Sequence, residues 1–176
     1  MYVIIEIVFI ENSFVMVKSV KIFDKVRGKL EPILVIDDMN LKVYHPNVLS
    51  KEVSLQIFDS QTMVDYLNDQ ISSKTEKINE LRESKFLDEK NLADRKKLIK
   101  EISELNDQVD SEICKYVEAL SKLKPGTLND KLDDIEFTED YSREKLITDI
   151  FSEINTALRE HNEKEYGVKT GESNPT

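Results

Sequence analysis

Residues 64–123 read VDYLNDQISSKTEKINELRESKFLDEKNLADRKKLIKEISELNDQVDSEICKYVEALSKL, a stretch without glycine or proline. With Val64 at heptad position a, the a positions are Val64, Ile71, Ile78, Lys85, Leu92, Ile99, Asn106, Ile113 and Leu120. The d positions are Leu67, Lys74, Leu81, Asp88, Arg95, Ile102, Val109, Tyr116 and Leu123. An apolar repeat with a period near 3.5 residues is the pattern of a coiled coil or a long bundle helix. Lys, Glu, Leu, Arg and Gln fill most of the other positions and are good helix formers. Pro125-Gly126 supplies the stop, since proline cannot continue a helix and glycine accepts the backbone angles of an ending.

The repeat lapses at Lys85 and Asp88, which occupy positions that call for apolar side chains. Two readings follow. One is a single helix of about 90 Å, at about 1.5 Å per residue. The other is a helical hairpin turning near residues 84–91, with Asp88 capping the second arm. The second arm also carries Leu98, Leu105 and Val117 at g and e, so its apolar stripe is wide enough to cover a second surface. Asn106, at an a position, is the candidate for setting register or oligomeric state.

Upstream, Tyr2–Ile10 is apolar and β-branched and reads as a central strand, turning at Glu11-Asn12-Ser13 into a second strand, Phe14–Phe23. Asp24 is placed to cap a short helix that Glu31-Pro32 closes. Ile33–Ile36 and Leu41–Tyr44 read as further strands around a turn at Asp37–Asn40, and Val53, Leu55 and Ile57 alternate as another strand. Lys21-Ile22-Phe23-Asp24 recurs as Gln56-Ile57-Phe58-Asp59, which either marks a duplicated strand–strand–helix unit or is coincidence. Downstream, Asp130, Asp133, Asp134, Glu136, Glu139 and Asp140 form an acidic stretch. Tyr141, Ile147, Ile150, Phe151, Ile154 and Leu158 then share one face of an amphipathic helix that suits the g/e flank of the preceding arm.

The expected class is α+β. A small antiparallel sheet domain of ββα-ββ type spans residues 1–58, and the long helix or hairpin spans 59–124. An acidic linker at 125–138, an amphipathic helix at 139–163 and a polar tail at 164–176 complete the chain.

Net charge is -10 and the pI about 4.8, which argues against direct nucleic-acid binding, a function that needs a basic face. Arg95, Lys96, Lys97 and Lys100 cluster on the second arm but sit among acidic neighbours. The single cysteine, Cys114, excludes an intrachain disulfide and suits a reducing cytoplasm; at heptad position b it is expected at the periphery. The apolar run Met1–Ile10 contains Glu6 and is too short to span a bilayer, so no membrane association is expected.

His45 and His161 show no spacing that links them to Cys114 or to a metal-ligand set. Asp37-Asp38 is the one compact carboxylate pair at a loop tip, and turn formation accounts for it. There is no glycine-rich phosphate loop. No catalytic residue, metal or cofactor is expected, and the chain reads as a non-enzymatic protein.

Met1-Tyr2-Val3-Ile4-Ile5-Glu6, the hairpin that follows and a strand ending Ile-Phe-Asp before a helix resemble the small accessory proteins of large tailed phages. The resemblance extends from Met1 to about Asp65. It implies a viral protein that binds host machinery, in the host cytoplasm, and it transfers no functional residue.

The expected function is protein–protein interaction or regulation through the helical arm, with another protein or a second copy as partner. Its candidate surface is Val64, Leu67, Ile71, Ile78, Leu81, Ile99, Ile102 and Val109; internal core is the competing reading, above all for Ile99 and Ile102. Two other classes fit parts of the sequence: an acidic mimic of nucleic acid, and a homo-oligomeric coiled-coil scaffold built on the straight helix.

Overall fold

A computed structural model gives the structure of this chain and describes residues 19–21, 32–36, 39–83, 89–137 and 141–166. Strand β1 (Ser19–Lys21) pairs antiparallel with β2 (Leu34–Ile36), which pairs antiparallel with β3 (Leu41–Val43). In the β2–β3 hairpin Leu34 faces Val43 and Ile36 faces Leu41. All four are buried, while Val35 and Lys42 turn to the other face, the period-two alternation of a half-covered sheet. Asn40 closes this hairpin with φ +46°, a left-handed conformation that asparagine tolerates. The expected strand Tyr2–Ile10, the Asp24 helix and the Asp37-Asp38 pair lie outside the described residues.

After β3 the chain makes one 3-10 turn, Pro46–Val48, and enters helix α1 (Lys51–Glu83). Ser50 caps α1, its hydroxyl accepting the Val53 amide at 3.3 Å. The strand expected at Val53–Ile57 is thus the first turns of a helix, and the boundary expected after residue 58 falls at residue 50. Ile57, Ser60, Val64 and Leu67 recur at three- and four-residue steps and are all buried, and this longer pattern overrides the short alternation. The duplicated-unit reading falls with it, because Gln56-Ile57-Phe58-Asp59 lies inside α1 and ends no strand.

Helix α2 (Glu89–Leu120) runs back along α1. Lys74 Nζ donates to Glu101 Oε2 across the pair, which places the two helices antiparallel. The arm is therefore the hairpin and not the straight helix. Each helix is about 50 Å long at about 1.5 Å per residue. The expected Asp88 cap lies outside the described residues.

The single heptad register does not survive the turn. In α1 the a and d positions form the seam: Ile57, Ser60, Val64, Leu67 and Ile78 are buried, and Ile71, Lys74 and Leu81 half-buried. In α2 the seam moves to d and g. Arg95, Leu98, Ile102 and Val109 are half-buried and Leu105 buried, whereas Leu92 and Ile99 at a are exposed by 47% and 52%. A turn between antiparallel helices need not conserve helical phase, so α2 starts a new register.

Helix α2 stops earlier than Pro125-Gly126 predicts. Lys122 adopts φ +55° and Leu123 N–H reaches back to the Glu118 carbonyl at 2.9 Å, a left-handed helix stop made without glycine. The Tyr44 amide donates to the Leu120 carbonyl at 3.0 Å, tying the end of the sheet to the end of α2. Gly126, at φ +88°, instead opens α3 (Thr127–Asp133), a short helix inside the stretch read as an acidic linker. Helix α4 (Arg143–Tyr166) follows, beginning and ending later than the 139–163 span expected.

One core joins these elements. Leu34, Ile36, Leu41 and Val43 of the sheet cluster with Ile113, Tyr116, Val117 and Leu120 of α2, Leu128 and Leu132 of α3, and Leu146, Ile147, Ile150 and Ile154 of α4. The sheet is therefore not a separate domain ending at residue 58. Tyr116 anchors the α2–α4 contact, with its ring edge-on to Phe151 at 5.3 Å and its hydroxyl donating to Asn155 Oδ1 at 3.0 Å.

Candidate interaction surface

The seam consumes most of the surface expected from the sequence. Val64, Leu67 and Ile78 are buried, and Ile71, Leu81, Ile102 and Val109 half-buried, because α1 and α2 cover each other. These residues hold the arm together and present little to a partner. Ile99 is the one member of that set left exposed. Asn106 is also exposed, so it sets no buried register; its a position lies off the seam of α2.

A second apolar face lies on the back of α1. Leu55, Phe58, Met63 and Tyr66 are exposed by 54%, 67%, 44% and 58%. At about 100° per residue they fall within one sector of the helix, roughly opposite the seam. Thr62 lies at the centre of that sector, and its hydroxyl is satisfied by the Phe58 carbonyl at 2.9 Å. The signal was present in the sequence: large apolar residues stand at f, b, g and c positions, which a plain coiled coil fills with polar ones.

Beside this face, where the roots of α1 and α2 meet, an open groove of about 810 Å³ is lined by Leu49, Val53, Ala119, Leu123 and Pro125 with Gln56, Asp59 and Lys115 at its polar parts. Glu118 also borders it but is committed elsewhere. Its carboxylate is buried and accepts the Leu128 amide at 2.8 Å, serving as the cap that Gly126 cannot provide.

The two histidines, unlinked by sequence, are neighbours in space. Their ring centroids are 4.8 Å apart. His45 Nδ1 accepts the Asn47 amide at 3.2 Å, which leaves Nε2–H to donate to Asn162 Oδ1 at 3.0 Å. His161 Nε2 stands 3.8 Å from Glu165 Oε2. This arrangement pins the loop after β3 to α4, and both nitrogens of His45 are occupied.

Cys114 is buried, contrary to the peripheral place expected for a b position. The root half of α2 is covered both by α1 and by α4 with the sheet, so its buried arc includes position b. Burial pushes the thiol pKa up to about 11, the reverse of what a nucleophile needs. Near it lie Asp107, Asp110, Asp133, Arg143 and Glu144. Burial, aided by Glu144 and Asp107, raises the Asp110 carboxyl to about 6.

Among the described residues no group of three or more His, Cys, Asp or Glu side chains is placed to hold a metal ion. No described helix is long and apolar enough to cross a membrane. Comparison of the chain with protein-family models, curated proteins and solved structures returned no match.

Proposed function

We propose that this chain is a non-enzymatic interaction protein that presents its helical hairpin to another protein and so regulates it. The supporting observation is the face of Leu55, Phe58, Met63 and Tyr66, which lies outside the core of the described residues and leaves two aromatic rings exposed on one helix. Contiguous apolar surface on a helix that is already packed on its other side is the usual mark of a docking site. The resemblance of the first residues to small accessory proteins of large tailed phages supports a partner in the host machinery and action in the host cytoplasm.

The test is to replace Phe58 or Tyr66 by a photo-crosslinking amino acid in cells that naturally make the protein, with Glu80 near the tip of α1 as the control position. Adducts to one foreign protein from positions 58 and 66, absent from position 80, support the proposal. Absence of adducts from both sites, or adducts to a second copy alone, would contradict it.

A further inference from the structure

We infer that the outward face of α1 between Leu55 and Tyr66 is the docking site for a basic amphipathic helix of the partner protein; this rests on the interaction reading above. Charge and apolar surface are segregated together along α1. The segment Lys51–Gln70 carries one basic residue against Glu52, Asp59, Asp65 and Asp69. The remainder, Ile71–Glu83, balances Lys74, Lys77 and Arg82 against Glu76, Glu80 and Glu83. The acidic excess therefore accompanies the exposed face and is absent from the tip.

Its arrangement is directional. At about 100° per residue, Asp59 falls on the Met63 side of the apolar sector, while Asp65 and Asp69 fall on the Phe58 side. All three are exposed, and none forms an ion pair with a described residue. Asp59 and Asp69 fall within the apolar sector and Asp65 at its Phe58 edge, and an apolar face interleaved with carboxylates is the complement of a helix that carries Lys or Arg among and beside its apolar residues.

The same charges argue against the other occupants. A second copy docking the same face would bring the same four carboxylates and single lysine, and so double the acidic charge at the contact instead of neutralising it. The chain's own apolar segment Met1–Ile10 carries Glu6 and no Lys or Arg, so it cannot answer the carboxylates. The competing occupant within the chain is the basic segment with Lys25, Arg27 and Lys29, and peptide binding that appears only after those three are replaced by Gln would overturn the foreign partner and assign the face to that segment. Nucleic acid is repelled by them.

The probe is a designed amphipathic helical peptide with a leucine stripe bordered by lysines. Its controls are a scrambled peptide of the same composition and a counterpart with glutamates in place of the lysines. Binding to the full-length protein is measured by calorimetry at low and high ionic strength. The lysine peptide should bind at least about tenfold more tightly than the scrambled one. The exposed double substitution Phe58→Ser with Tyr66→Ser should weaken it by a similar factor while circular dichroism stays unchanged. Asp59→Asn with Asp65→Asn and Asp69→Asn should remove most of the salt dependence.

Equal binding of the scrambled peptide, or indifference to the Phe58 and Tyr66 substitutions, would overturn the inference. Binding of the glutamate peptide through Phe58 would overturn the basic partner and leave the interaction reading standing. A dimer that light scattering finds in the parent and not in Phe58→Ser would assign the face to a second copy. A monomer that binds no peptide would contradict the inference, and foreign adducts in the crosslinking test would show whether the interaction reading survives.

Discussion

Glu118 Oε1, on the last turn of α2, accepts the Leu128 amide of α3 at 2.8 Å from a buried position. This one carboxylate joins the end of the hairpin to the helix that seats the core, across a turn made by Lys122 in the left-handed region. Removing it leaves a buried N–H without a partner. Glu118→Ala should destabilise the protein by about 1–3 kcal/mol in urea unfolding, and Glu118→Gln, which keeps an acceptor, by clearly less. Equal losses would mean that volume, and not the hydrogen bond, is what the position contributes.

The two sides of the hairpin should respond differently to truncation. Leu67→Ala opens the buried seam and should cost about 2–3 kcal/mol. Ile99→Ala removes an exposed side chain at the same heptad repeat and should fall within about 0.5 kcal/mol of the parent. A large loss at Ile99 would show that its face is covered.

Asp110 should make the protein more stable in mild acid than its other carboxylates would allow. Its folded pKa is raised from 3.8 to about 6, by burial first and then by Glu144 and Asp107. Between those values the folded state binds more protons than the unfolded state, so this contribution falls as pH rises from near 4 and is lost above 6. Asp110 is partly exposed, and after solvent screening the effect amounts to about 1 kcal/mol. Asp110→Asn should therefore stabilise the protein at pH 7.5 by about that amount and have little effect at pH 4. The reverse order in thermal melts would contradict the assignment.

Cys114 should be inert in the folded protein. With its thiol buried and its pKa near 11, Ellman's reagent at pH 8 should react at least about 100-fold more slowly than in urea. Fast labelling of the folded chain would require that α4 opens from α2.

Helix, seam and the apolar face of α4 were legible in the sequence because each repeats its signal over many turns. Val64, Leu67, Ile71 and Ile78 keep their spacing regardless of what packs on them, and Tyr141, Ile147, Ile150 and Ile154 do the same. Features that depend on a few residues were not legible. Val53, Leu55 and Ile57 alternate like a strand, and only the buried Ser60 and Val64 beyond them disclose the helix. The lapse of the repeat at Lys85 and Asp88 fitted a hairpin and a straight helix alike, so the new phase of α2 was not settled by the sequence. Lys122 takes the left-handed position at the end of α2 that a sequence reading reserves for Gly126.

Most of the surface expected on the arm is taken up by the seam for a related reason. A heptad repeat tells which residues are apolar on one face but not whether that face is already occupied by the chain itself. Once α2 fills the seam, the residues left for a partner are those that fit the repeat worst: Phe58, Met63 and Tyr66. The pairing of His45 with His161 joins residues 116 positions apart and left no local trace.

The central claim is that the arm folds back on itself and thereby turns Phe58 and Tyr66 outward. Spin labels at Gln56 and Lys115, in a Cys114→Ala background, test it by pulsed dipolar spectroscopy. Both positions line the groove at the root of the hairpin. The folded-back arm predicts a separation of about 20–30 Å, an interhelical distance of about 10 Å plus two label linkers. A straight helix would place them about 90 Å apart, and a distribution without the short component would contradict the account.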